Sequence, residues 1–213
     1  MTRSGMAVIA FDVNGTLLDP QALDPLLGGA DVRRRWFSLM LQNAFVGGLT
    51  GHYIDYPSAQ WAALEMLGLP RDADVIAGMK QLPAYSDVGP ALDRLADFTL
   101  VALTNSPLKS ATTALQNVGI AERFATILSA DDVRALKPRA EAYQHVAKSL
   151  GVGLAEIRLV AGHGWDVAGA LAAGCRAAFV RRPGETLIPF GPQPDVVGDD
   201  LVEVAAKIAD ADG

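Results

Sequence analysis

The sequence predicts an α/β fold, a Rossmann-like parallel sheet core with an inserted helical cap. Three observations carry that expectation. The run Ala7-Val8-Ile9-Ala10-Phe11 is apolar without alternation, as in a strand buried on both faces, and it leads into Asp12-Val13-Asn14-Gly15-Thr16. From Pro90 onward, helical and strand patterns alternate, the mark of right-handed βαβ units and a parallel sheet. Between these two parts, a stretch of roughly 70 residues carries no strand pattern, a size that suits a small helical subdomain.

The first strand ends in an acid, a glycine and a hydroxyl. Gly15 lets the chain turn sharply, and Thr16 can donate to Asp12 or to a bound anion. Taken alone, the same residues also read as an ordinary Asx-type turn. A loop rich in Pro and Gly follows, through Gly28 and Gly29. From Asp31, a candidate cap, a helix begins that includes Trp36, Phe37, Met40, Leu41, Ala44, Phe45 and Leu49. It is apolar on nearly all sides, which places it between layers or in a subunit interface. Gly47, Gly48 and Gly51 are expected to end it, and Arg33, Arg34 and Arg35 read as its solvated start. Two more helices are expected over 58–67 and 73–82.

The alternating part predicts helices over 90–96, 107–118, 140–150, 167–173 and 201–209. It predicts strands over 98–103, 126–128, 157–161 and 177–180. Residues 182–195 carry four prolines and read as an ordered surface loop. The expected division is a core of 1–16 and 88–213 with a cap of 17–87.

The chain has 213 residues, half of them hydrophobic, enough for one sizeable domain or a core with a smaller insertion. A formal net charge of −6 argues against nucleic acid or an anionic membrane as the main partner, while a small anionic substrate stays open. The one cysteine, Cys175, cannot form an internal disulfide, which suits a reducing compartment such as the cytoplasm. Its setting reads as a buried helix-to-strand turn, so it is a packing residue rather than a nucleophile. No span of about 20 apolar residues suggests a membrane helix, and the N-terminal apolar run is too short for a signal peptide.

In a parallel sheet the residues just after each strand share one edge and converge. The first strand brings Asp12, Asn14 and Thr16 there, and the second brings Thr104, Asn105 and Ser106. Lys137-Pro138 follows the next strand, and the last of the four supplies Gly162, His163, Gly164, Trp165 and Asp166. Two acids, a lysine and several short polar side chains therefore meet in one crevice.

This order resembles the haloacid dehalogenase superfamily. Its four motifs are matched by Asp12-Val13-Asn14-Gly15-Thr16, Leu103-Thr104-Asn105, Lys137-Pro138 and the segment ending Trp165-Asp166, over nearly the whole chain. The phosphatases of that superfamily use an acid two residues after the nucleophile and a magnesium-binding Asp four residues before the match to Asp166. Here those positions are Asn14 and Gly162, which argues against metal-dependent phosphoryl transfer. The pattern is closer to the L-2-haloacid dehalogenases, with the pair Trp165-Asp166, Tyr143 six residues after Lys137, and the cap aromatic Tyr56.

The resemblance implies that Asp12 attacks the carbon bearing the halogen of a short 2-haloalkanoate, that halide leaves, and that water then hydrolyses the ester. No metal or other cofactor is needed. Lys137 would keep Asp12 ionised, and Asp166 would anchor Lys137 or help activate the water. Thr104 and Asn105 would bind the substrate carboxylate or the oxyanion, and Trp165, Tyr56 and Phe37 would wall the pocket. The hydroxyl of Tyr143 is expected to reach Asp12 or Lys137, unless the ring is simply core.

Two departures stand out. The cap arginine of those dehalogenases is replaced by Phe37. The Ser and Asn before the Trp-Asp pair are replaced by Ala161 and His163. His163 could donate to the halide, serve as a base, or be a satisfied core histidine, with Asn14 making up part of the lost polar contacts. Alternative functions are a phosphatase acting on a phosphorylated metabolite, or a low-activity member that binds a small acid or a protein. The apolar cap helix further suggests a homodimer.

Overall fold

The structure is a computed structural model that describes residues 7–71 and 73–213, so residues 1–6 of the expected first core segment lie outside the described residues. Among the described residues the sheet has six strands, all parallel: β1 (Val8–Phe11), β2 (Thr99–Thr104), β3 (Thr126–Ser129), β4 (Ile157–Ala161), β5 (Arg176–Val180) and β6 (Val196–Gly198). Their spatial order is β3-β2-β1-β4-β5-β6. The order reverses at β1, so the crevice beyond the carboxyl ends of β1, β2 and β4 is the place where such sheets hold ligands.

Alternate side chains of each strand enter opposite layers. Ile9, Phe11, Leu100, Ala102 and Val160 pack under α5 (Val88–Arg94) and α9 (Leu201–Asp212). Val8, Ala10, Val101, Leu103 and Leu159 pack under α7 (Ala140–Leu150) and α8 (Gly164–Ala173). Both faces are therefore apolar, and this is why the strands read as continuous hydrophobic runs. Arg158 is the exception on β4. It is fully buried, and its charge is satisfied by Asp212 at 2.6 Å and by Asp195. The remaining core helix, α6 (Leu108–Asn117), lies between β2 and β3.

Between β1 and α5 the chain is helical. The segment expected to be an irregular loop instead contains a 3₁₀ turn, Pro20–Leu23, and a short helix α1 (Asp24–Leu27), because Asp19 caps the turn at Gln21 and Pro residues occupy both first turns. Then come α2 (Ala30–Thr50), α3 (Tyr56–Met66) and α4 (Ala73–Gly78), the last shorter than the expected 73–82. Gly47 and Gly48 lie inside α2 rather than ending it. Gly51, left-handed at φ 75°, is the stop. Asp31 is a first-turn residue of α2 and not its cap. Two isolated bridges tie the root of this segment together, Leu18 to Asn14 and Leu18 to Ala84.

The other helices and strands lie within a few residues of expectation, and 140–150 and 157–161 coincide with it. The missed element is β6. It has three residues, the last a glycine, and stands directly after the proline-rich loop, so no period could be read from it. No helix among the described residues is long and apolar enough to cross a membrane. Cys175 is buried between α8 and β5.

Candidate active site

Asp12 is the first residue past β1, and its backbone N–H still bonds to Val160 O on β4. Its carboxylate is buried, at 5% exposure, with each oxygen held separately. Lys137 Nζ donates to Oδ1 at 2.7 Å and Thr16 Oγ1 donates to Oδ2 at 2.7 Å. Gly15 makes this turn possible. It adopts φ 79°, and a Cβ there would stand 2.5 Å from His163 Nε2. Thr16 in turn accepts from the Gly162 N–H at 2.8 Å, which ties the turn after β1 to the end of β4.

Lys137 reaches the same place from the loop after β3. Its three N–H bonds all have partners: Asp12, Asp166 Oδ2 at 2.6 Å and Leu103 O at 3.1 Å. Asn105 clamps its backbone from both sides, accepting from Lys137 N at 2.7 Å and donating to Lys137 O at 3.2 Å. Asp166 has no exposure, and its other oxygen accepts from the Tyr143 hydroxyl at 2.6 Å.

The charges follow from this arrangement. Burial raises the Asp12 carboxyl, but the Lys137 ammonium, the neighbouring His163 ring and the hydrogen bonds from Lys137 and Thr16 outweigh it, so the pKa is lowered and Asp12 is an anion. Burial and the neighbouring Asp12 charge raise Asp166 despite Lys137. The two acids are thus driven apart, with Asp12 the stronger one. Burial acts against the charge of Lys137, and the two carboxylates more than offset it, so its pKa is raised.

A cavity of about 10 Å³, room for one water, lies over Asp12. Asn14, Thr104, Asn105, Lys137, His163 and Trp165 line it from the core, with Phe37 and Leu41 of α2 and Tyr56 of α3. The His163 ring is stacked between Phe37 and Trp165, with centroids 5.1 and 5.5 Å away. The Trp165 indole N–H is buried without a hydrogen-bond partner. Tyr56 is buried against the Asn14 side chain, and burial together with the Asp12 charge holds its hydroxyl protonated. Thr104 Oγ1 accepts from the Ser106 N–H, and Asn14 Nδ2 donates to Ser106 Oγ at 3.0 Å.

Of the residues expected at the site, Tyr143 does not line the cavity. Its hydroxyl goes to Asp166 rather than to Asp12 or Lys137, because α7 packs against α8 and sets the ring beneath the first turn of that helix. Thr16 and Asp166 also lie behind the cavity wall, each one hydrogen bond from Asp12 or Lys137. Two residues were missed. Glu185 stands 3.1 Å from His163 Nδ1, and Arg33, expected in solvent, pairs with Asp24 at 2.6 Å and shares a small cavity with Phe37, His163 and Glu185. The one signal for Arg33 was its place one helical turn before Phe37. Arg34 and Arg35 are exposed as expected.

A magnesium site needs hard oxygen ligands. Gly162 offers no side chain, and a Cβ there would meet Gly15 O at 2.5 Å and Arg182 Cγ at 2.8 Å. The space beside it is filled by Arg182, whose guanidinium is bonded to Thr16 O and Asp87. Lys137 Nζ already bridges the two acids. Among the described residues no group of three His, Cys, Asp or Glu is arranged to hold a metal ion. The residues present do not fit a catalytic magnesium.

A family model described as haloacid dehalogenase-like hydrolase matches residues 6–174. The (S)-2-haloacid dehalogenase 2 of Pseudomonas sp. (strain CBS-3) is 29% identical over 212 residues, covering 92% of this chain and 93% of its own. The (S)-2-haloacid dehalogenase of Xanthobacter autotrophicus is 30% identical over 188 residues, covering 82% and 74%. The solved structure of the L-2-haloacid dehalogenase from Xanthobacter autotrophicus with chloropropionic acid covalently bound superposes with a TM-score of 0.89 over 96% of this chain and 98% of its own. At 24% identity that likeness is one of fold. Relatives named as phosphatases match as well.

Proposed function

The chain belongs to the haloacid dehalogenase-like hydrolase family, and we propose that it removes halide from a short 2-haloalkanoic acid, without a metal, through an ester on Asp12. One observation carries this reading. Asp12 is a buried, ionised carboxylate at a small cavity, while the positions that serve phosphoryl transfer hold Asn14, which cannot give up a proton, and Gly162, which has no side chain to bind a cation.

An Asp12 oxygen attacks the carbon bearing the halogen, the carbon–halogen bond breaks, and halide departs with the bonding electrons. No proton is needed at that step, so Asn14 in place of an acid is no handicap. Water then attacks the ester carbonyl of Asp12; one of its protons goes to the departing alkoxide, which leaves as the 2-hydroxy acid with the original Asp12 oxygen, and the other is released to solvent as the Asp12 carboxylate re-forms. Lys137 stabilises Asp12 before attack and the charge that develops on its carbonyl oxygen in the second step. Asp166, the weaker acid, holds Lys137 and is itself held by Tyr143. The Trp165 N–H and the Thr104 hydroxyl are the donors that can meet the substrate carboxylate or the halide, with the His163 ring beside them on the cavity wall. Phe37, Leu41 and Tyr56 close the cavity against water.

The proposal extends to the organisation of the chain: a core of 1–16 and 88–213 with a cap of 17–87, working as a homodimer in the cytoplasm. Val46 and Leu49 of α2 and Met66 of α3 leave an exposed apolar end on the cap, which a second copy would cover.

The test is halide release from chloroacetate and both enantiomers of 2-chloropropionate in the presence of a chelator. Release that persists with chelator and is lost in Asp12→Asn is the expected result. Release in the Asn variant defeats the covalent step. No release from any substrate, with magnesium-dependent cleavage of a phosphate ester instead, defeats the assignment.

A further inference from the structure

His163 is the residue that most separates this site from the pattern it resembles. Its ring is 3% exposed and fixed on every side. Phe37 and Trp165 cover its two faces, and Nε2 lies 3.0 Å from the Asn14 carbonyl oxygen, a group that only accepts. Nδ1 lies 3.1 Å from Oε2 of Glu185, a carboxylate that also only accepts. That approach is off the line of a good hydrogen bond, so the contact is one of charge and Nδ1 has no aligned partner.

A neutral imidazole carries one N–H and one lone pair. With Nε2 donating to Asn14, a neutral ring would leave Nδ1 unprotonated, its partial negative charge 3.1 Å from a carboxylate oxygen. A proton on both nitrogens converts that repulsion into attraction. We propose that Glu185 is a positioning residue that keeps His163 doubly protonated, so that the Asp12 cavity has a cation on the wall where Phe37 supplies none. The use of that cation, to hold the departing halide, rests on the dehalogenation reading above.

The charges around the ring agree. From the turn after β1, Asp12 Oδ2 stands 3.9 Å from Nε2, and from the loop after β5, Glu185 stands at Nδ1. The nearby cations are each engaged elsewhere. Arg33 of α2 is paired with Asp24, Lys137 with Asp12 and Asp166, and Arg182 with Asp87. Burial disfavours the charged ring, but Glu185, Asp12 and the Asn14 carbonyl outweigh it, and the pKa is raised. The sign is that of a group whose charge is lost as pH rises, so catalysis assisted by it has an alkaline limb.

The experiment follows the His163 ring by NMR titration in the wild type, Glu185→Gln and Glu185→Asp, beside the pH profile of kcat/KM for halide release. The Glu185 side chain is 31% exposed, so the substitutions leave the core packing in place. The expected result is a doubly protonated ring at pH 7 in the wild type. In the Gln variant the ring titration and the alkaline limb shift together to lower pH, with about a tenfold loss of kcat/KM on the alkaline side, and the Asp variant restores most of it. A neutral ring in the wild type at pH 7, or a titration that Glu185→Gln leaves in place, overturns the proposal. The NMR arm needs no turnover. A wild type that releases no halide defeats the dehalogenation reading alone, and the titration still decides the state of His163.

Discussion

Replacing Lys137 with methionine removes the cation that touches both buried acids while keeping a side chain of similar length, so no large void opens. Three contacts go with the ammonium, to Asp12 at 2.7 Å, Asp166 at 2.6 Å and Leu103 O at 3.1 Å. Removing one partner of a buried ion pair costs about 3–5 kcal/mol, and one cation serving two carboxylates puts this case near the upper end. For a chain of this size each kcal/mol is about 2–4 °C, so the midpoint should fall by about 8–20 °C near neutral pH. The loss also has a characteristic pH dependence. In the wild type the Asp12 pKa is lowered, so its contribution is present above the unfolded carboxylate value and lost as pH falls through the folded one. In the variant burial acts unopposed by the ammonium, and both acids rise above the unfolded value. The folded variant then binds protons more readily than the unfolded chain, and it gains stability as pH falls from neutral toward about 5. Thermal melts of both proteins across that range should converge at the acidic end. Equal midpoints at neutral pH, or a deficit that does not change with pH, would refute the assignment of Lys137 as the balancing charge.

Other substitutions check other parts of the same argument. Tyr143→Phe leaves one oxygen of Asp166 without its 2.6 Å donor and should lower stability by about 1–3 kcal/mol. It should slow turnover more than it weakens substrate binding, because the ring does not line the cavity; a raised KM at unchanged kcat would put Tyr143 at the substrate instead. Gly162→Ala would push a methyl against Gly15 O and the Arg182 stem and should cost about 1–3 kcal/mol in a denaturant melt. An unchanged midpoint would mean that room for a larger side chain exists there after all. Leu49→Glu should give a monomer by light scattering where the wild type is a dimer, and a monomeric wild type would end the dimer proposal.

The core was legible because each strand is apolar on both faces and each helix between them keeps its own period. The convergence of Asp12, Asn105, Lys137 and Asp166 also followed from strand order, since each lies in the segment that leaves the carboxyl end of a strand. What could not be read were contacts set by the way elements pack. Tyr143 was placed at the right motif spacing but given the wrong partner, because the angle between α7 and α8 decides which oxygen it meets. Glu185 is 22 positions from His163, in a loop without periodicity. The glycines of α2 misled because Gly47 is there for a close approach, a Cβ standing 2.7 Å from His52 O, and not for a turn.

The loop after β5 has a consequence for how chemistry is inherited in such a fold. Arg182 at its start fills the slot beside Gly162, and Glu185 three positions on stands against His163. A short segment outside every recognisable motif therefore supplies both the counter-ion of His163 and the side chain that fills the slot beside Gly162. A chimera that kept Asp12, Lys137, Asp166 and all the motif residues but took this segment from another member would carry an intact signature around an altered electrostatic field. The field at the Asp12 cavity is thus set in part by residues that a motif search does not inspect.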